Sequence, residues 1–143
     1  WITINSKHEP IYILRYATSL DGILWNRTGI SCIAQRYEHE SIATPSVIKK
    51  NGLYKMWYCY RDSIDFRDGQ GSYRMGYAES YDGIQWERKD DQLGIDLSPT
   101  GWDSTMQCYP YVVKNNKNLY MFYSGNGFGR DGIGYAVTET RNF

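Results

Sequence analysis

The sequence predicts an all-β chain of repeated four-stranded antiparallel meanders, the blades of a β-propeller. Three observations carry this. The motif Tyr-Ala-x-Ser-x-Asp-Gly-Ile-x-Trp occurs at Tyr16–Trp25 and again at Tyr77–Trp86, 61 positions on, and a degenerate third copy begins at Gly134-Tyr135-Ala136. A second repeat sets two β-rich runs around a polar turn: Pro45-Ser46-Val47-Ile48 and Leu53–Tyr58, then Pro110-Tyr111-Val112-Val113 and Leu119–Tyr123. The 14 Tyr and 5 Trp supply the broad side chains that fill the space between sheets packed face to face.

The elements follow in order. Residues 1–5, 11–18 and 23–26 read as the second, third and fourth strands of a first blade. Residues 42–49, 53–60, 72–79 and 84–88 make a complete middle blade. Asn51-Gly52 is a strong hairpin dipeptide between its first two strands. Residues 107–114, 118–124 and 132–138 give three strands of a last blade. No window carries the 3.6-residue period, so no helix is predicted. The chain thus reads as one partial domain over 1–143, with blade pieces at about 1–28, 42–88 and 107–138. A closed ring takes about four blades or more. The expectation is a piece of a longer protein, or copies that complete a ring together, with open blade edges that favour self-association.

Composition narrows the partners. Sixteen basic and 16 acidic residues leave no net charge and no basic stripe, which argues against nucleic acid. No apolar run approaches about 18 residues, so no membrane span is predicted, and no signal peptide is visible. The 3 Cys are odd in number and lack Cys-x-x-Cys spacing; they read as buried free thiols and lean towards a cytoplasmic setting.

Pro-x-Val, Leu-Tyr-x-Met-Trp-Tyr and Met-Gly-Tyr-Ala-x-Ser-x-Asp-Gly-Ile-x-Trp together resemble a blade of the five-bladed propeller glycosidases. That superfamily includes arabinanases, β-xylosidases, levansucrases, invertases and β-mannoside phosphorylases. The resemblance covers nearly the whole chain and implies about half of a five-bladed ring acting on carbohydrate, by hydrolysis or phosphorolysis of a glycosidic bond. A second resemblance is to the Asp-box of sialidases, although Asp21-Gly22 and Asp82-Gly83 are one residue too close for it. An alternative in another class is a non-catalytic glycan- or protein-binding module.

Meander topology places the tight turns at 21–22, 51–52, 82–83 and 115–116 on one face and the long loops 30–41, 61–71, 89–106 and 125–131 on the other. Function is expected on the long-loop face. Its carboxylates are Glu38, Glu40, Asp62, Asp65, Asp68, Asp103 and Asp131. Glycoside cleavage uses an acid and a second carboxylate about 5 to 9 Å apart. Glu40 and Asp103 precede two inner strands, which suits Glu40 as acid and Asp103 as base, facing one cavity. Asp62 with Arg61 suits a substrate clamp. Trp102 offers a ring face to a sugar, and His39 a partner for a hydroxyl. In the resembled enzymes the acidic residue commonly sits at the opening of the inner strand, often next to Pro. Here Thr44 and Tyr109 hold the places before Pro45 and Pro110. No metal-binding pattern is legible, and a calcium ion in the channel would rest largely on backbone oxygens and water.

Overall fold

The structure is a computed structural model that describes residues 2–4, 9–67 and 69–139. Among the described residues, eleven strands form four antiparallel sheets. β1 (Ile2–Ile4) pairs with β2 (Pro10–Tyr12), and β3 (Arg15–Thr18) pairs with β4 (Asn26–Ser31). The middle blade is complete in meander order: β5 (Glu40–Lys50), β6 (Leu53–Asp62), β7 (Arg74–Ser80) and β8 (Glu87–Arg88). The last sheet holds β9 (Cys108–Asn115), β10 (Asn118–Ser124) and β11 (Ile133–Glu139). The repeated motif Tyr falls on β3, β7 and β11, one per repeat unit, as the spacing predicts.

The middle blade is buried on both faces. Along β6, Met56 and Tyr58 pack with Ile33, Ile42 and Ala78 towards the first unit. Trp57 points the other way, joining Met75 and Tyr77 against Val112, Leu119, Met121 and Tyr123 of the last sheet. Alternation along a strand therefore feeds two separate inter-sheet cores. The hairpin between β5 and β6 turns through Asn51 (φ 52) and Gly52 (φ 85), both left-handed, as a two-residue type I′ turn requires.

Four expectations about elements change. The third strand of the first unit is broken, with β2 and β3 joining different sheets. Its fourth strand runs over Asn26–Ser31, not 23–26. The fourth strand of the middle blade is reduced to Glu87–Arg88. The last two changes share a cause: Asp21 Oδ1 accepts from the Ile23 and Leu24 amides, and Asp82 Oδ1 from those of Ile84 and Gln85. Those residues are held in turns and cannot enter a ladder. Two single-turn helical segments also appear, a 3-10 turn at Asp90–Gln92 and a turn at Asn126–Gly129 whose Gly127 and Phe128 are left-handed. The expected strand at 1–5 is β1 within the described residues, while Trp1 and Asn5 lie outside them, as does Asp68.

Candidate functional site

The inner strands β5 and β9 open with the same irregularity. Each carries a bulge at an x-Pro step: the register shifts between Ala43 and Ser46, and opposite Phe122 and Ser124 in the last sheet. The residues before the prolines are left-handed, Thr44 at φ 49 and Tyr109 at φ 58. Proline lacks the amide that a ladder needs, so the ladder is interrupted at this step. A non-glycine residue at positive φ is costly and persists only where its surroundings enforce it. Past the bulge, the Val112 amide donates to Ser46 Oγ at 2.8 Å and locks the two inner strands together.

Between these bulges lies a cavity of about 380 Å³ on the long-loop face. All three repeat units contribute. Tyr12 comes from the first, Thr44, Arg61 and Tyr73 from the middle blade, and Tyr109 from the last sheet; Phe66 and Phe128 reach in from loops. The aromatic rings touch one another. Tyr73 lies 5.7 Å from Tyr109 and 6.1 Å from Phe128 between centroids, and Phe66 lies 6.3 Å from Phe128. Burial, with a further contribution from Cys59 when that thiol is ionised, raises the Tyr73 hydroxyl well above the ordinary tyrosine range, so it stays neutral.

Arg61 is the floor of this cavity and is only 2% exposed. Its Nε donates to Tyr73 Oη at 3.1 Å and its Nη1 reaches the Asp62 carbonyl at 3.4 Å. Its guanidinium carbon stands 3.6 Å from the centre of the Phe66 ring, 5.1 Å from Tyr12 and 5.5 Å from Tyr73. Asp62, the other half of the expected clamp, faces elsewhere: its Oδ1 accepts from the Ile64 amide at 2.7 Å, and its own amide donates to the Gly71 carbonyl at 2.9 Å. It ties down the loop that carries Phe66.

The carboxylates expected to face each other enter separate networks. Glu40 is fully buried and forked onto Arg88, both contacts at 2.8 Å, and its Oε2 also accepts from the Arg36 amide. Arg88 in turn reaches Asp90, which pairs with Arg36 at 2.7 Å. Asp103 is buried in the last unit, where its Oδ2 accepts from Tyr123 Oη at 2.9 Å and Gln107 Nε2 at 3.1 Å. Burial raises its pKa, but hydrogen bonding from Ser98, Tyr123 and Gln107 outweighs this and leaves it below the ordinary carboxylate value. Neither Glu40 nor Asp103 lines the cavity. Both are spent on holding strands and loops.

Trp102 stacks on Tyr123 at 5.1 Å, and a Cβ at Gly134 would meet its ring at 2.6 Å. It is half-buried packing of the last sheet, and the close glycine explains the room it occupies. His39 Nδ1 lies 3.4 Å from Glu9 Oε2, and its carbonyl accepts from the Ser63 amide. Of the six residues singled out, Arg61 alone lines the cavity. Sequence reasoning did not single out Tyr12 or Tyr73, and it marked Tyr109 only as standing where an acid was expected. The available signal was the x-Pro step itself, where Thr44 and Tyr109 stand in the place expected of an acid.

No family model matches the sequence. An uncharacterized protein of Mycobacterium tuberculosis is 36% identical over 132 residues, covering 92% of this chain and 42% of that protein. The chain thus spans less than half the length of that curated relative. Sucrose-6-phosphate hydrolase of Bacillus subtilis is 30% identical over 87 residues, 60% of this chain and 17% of that enzyme. Among solved structures, the BT0996–RGII complex superposes with a TM-score of 0.73 at 20% identity, covering 96% of this chain and 39% of its match. A glycoside hydrolase does so at 0.72, with the same identity and coverage. These likenesses show the fold: part of a β-propeller of the kind that glycoside hydrolases use.

Proposed function

We propose that this chain forms part of a carbohydrate-active propeller of the glycoside hydrolase kind, which cleaves a glycosidic bond by hydrolysis or phosphorolysis. The observation that carries this is the cavity at the paired x-Pro bulges. Three repeat units converge on it, aromatic rings wall it, and polar hydroxyls and one guanidinium reach into it. Apolar ring faces suit the C–H surface of a sugar, and a few convergent polar groups fix its orientation. The sucrose-6-phosphate hydrolase relative and the solved glycoside hydrolase support the same class of chemistry. In this reading Tyr12, Tyr73 and Tyr109 hold the sugar, Arg61 anchors a substituent, and Asp62 positions the Phe66 loop. Glu40 and Asp103 act as positioning carboxylates behind the two inner strands.

One observation favours a second reading, a glycan-binding module. The described residues lining the cavity are aromatic, aliphatic, small or cationic, with no carboxylate among them, a composition suited to holding a sugar. Two measurements separate the readings. Ligand-detected NMR against a panel of mono- and oligosaccharides tests binding, with Tyr109→Ala expected to weaken it at least tenfold while the circular dichroism stays unchanged. Release of reducing sugar, with and without inorganic phosphate, tests cleavage. Binding with turnover supports the enzyme, binding without turnover supports the module, and no binding by any sugar overturns both.

A further inference from the structure

We infer that Arg61 is an anion-binding group, and that the ligand of this cavity presents an oxyanion, a carboxylate or a phosphate, to its guanidinium. This rests on the carbohydrate reading for the sugar and on Arg61 alone for the charge.

A buried arginine is normally paired with a carboxylate, because desolvating an unmatched cation is expensive. Arg61 is 2% exposed, yet no carboxylate lies in ion-pair contact with it among the described residues. Its sequence neighbour Asp62 gives it only a carbonyl, the carboxylate being turned to the Ile64 amide. Guanidinium carries five N–H donors in a planar fork. Nε–H and one Nη1–H are used, on Tyr73 and Asp62. The remaining edge is the part that binds carboxylate or phosphate with two parallel hydrogen bonds.

The surroundings keep that edge in place. The Phe66 ring covers one face of the guanidinium at 3.6 Å, and Tyr12 and Tyr73 stand further out at 5.1 and 5.5 Å. Stacking partly compensates the cation but supplies no acceptor. Arg67 lies 4.7 Å from the same Phe66 ring, a second positive charge on that side chain. The cavity of about 380 Å³ has space for one sugar ring and its substituent. In the low-dielectric floor of an aromatic pocket, a fixed cation discriminates strongly between a charged and a neutral substituent.

The test uses the 143-residue chain with three probes: D-glucuronate, its neutral counterpart D-glucose, and inorganic phosphate. Calorimetry or ligand-detected NMR is run on the wild type, Arg61→Met and Arg61→Lys. The expected result is that glucuronate binds at least tenfold tighter than glucose, that Arg61→Met removes the preference, and that Arg61→Lys keeps only part of it. Lysine retains charge but loses the fork, a distinction that a merely structural arginine would not show. Phosphate that competes with glucuronate places a substrate-borne anion at Arg61. Phosphate that binds through Arg61 alongside glucose makes free phosphate the occupant. Either result supports the inference. Phosphate binding that depends on Arg61, with no sugar bound, supports the anion site and fails the carbohydrate reading. Glucose binding as tightly as glucuronate in the wild type, with no binding of phosphate, overturns the inference and leaves the carbohydrate reading standing. That comparison needs no variant and so survives any failure of Arg61→Met to fold.

Discussion

Two side chains in the middle blade show how much a single position depends on a distant partner. Glu40 sits at the start of β5 and is completed by Arg88 from β8, 48 residues later. Removing one member leaves the other charge buried and unpaired, which typically costs about 3 to 5 kcal/mol. Arg88→Met should therefore destabilise by about that amount, while Glu40→Leu combined with Arg88→Met should recover most of the loss. A double-mutant cycle in urea measures it, and two additive losses would show that the pair is not coupled. The tryptophans make a second contrast. Trp86 donates from Nε1 to the Gly83 carbonyl and Trp25 to that of Gly22, an identical local bond. Trp86, however, packs on the core around Met56 and Tyr58 and lies edge-on to Tyr54 at 6.3 Å, whereas Trp25 is 58% exposed. Truncation of Trp86 to Ala should cost about 2 kcal/mol, below the range for fully buried Trp because it is half-buried. Trp25→Ala should stay within about 0.5 kcal/mol. Equal losses in urea would show that the local turn, not the packing, carries the stability. The motif legibly marked both tryptophans as equivalent in sequence. It had no means of showing that only one has a neighbouring sheet to lie on, nor that Glu40 has an arginine waiting for it.

At the level of elements, the repeated Ser-x-Asp-Gly turn is a self-contained unit. Asp82 Oδ1 accepts from the Ile84 and Gln85 amides and from Ser80 Oγ at 2.8 to 2.9 Å, and Asp21 repeats the set with Ile23, Leu24 and Ser19. The backbone amide of Ile84, then that of Gln85 and the Ser80 hydroxyl, hold the Asp82 carboxyl below its ordinary 3.8. A carboxylate whose folded pKa is depressed stabilises the fold above the unfolded value, and that contribution is lost as pH falls through the folded value. Asp82→Ala should thus lower the urea midpoint at neutral pH, and the gap to wild type should narrow below about pH 4. A gap independent of pH would mean that charge plays no part in the turn. The same turn explains what the sequence left illegible in the strands. The third strands of the middle blade and the last sheet were readable from their β-rich runs, but fourth strands begin late, because Ile84 and Gln85 give their amides to a side chain. The cavity was harder still. Its residues are scattered from Ile2 to Phe128, and they meet beside the bulges at Thr44-Pro45 and Tyr109-Pro110.

The whole molecule has one blade enclosed on both sides and two flanks that are not. In the last sheet, Val112, Met121 and Ala136 form a row facing the middle blade, while the next row, Tyr111, Phe122 and Tyr135, faces outwards. Those three rings are 64%, 43% and 58% exposed, and Ile133 and Val137 on the same outer face of β11 are 75% and 55% exposed. The first unit shows Leu20, Ile23, Leu24 and Trp25 in the same condition. Contiguous apolar surface of this kind marks an interface, and on a propeller the natural cover is another blade. The outer edge of β11 pairs with nothing beyond β10 among the described residues, so backbone groups are open there as well. The isolated 143-residue chain should therefore associate with itself as its concentration rises, through the Tyr111–Phe122–Tyr135 face. Light scattering and sedimentation will read this directly. Phe122→Lys with Tyr135→Lys places charge in the middle of that face and should shift the distribution towards monomer without changing the fold of the middle blade, since neither ring contributes to the core around Trp57. A wild-type chain that stays monomeric at high micromolar concentration would show that this aromatic face tolerates water, and the claim that a neighbouring blade covers it would fall.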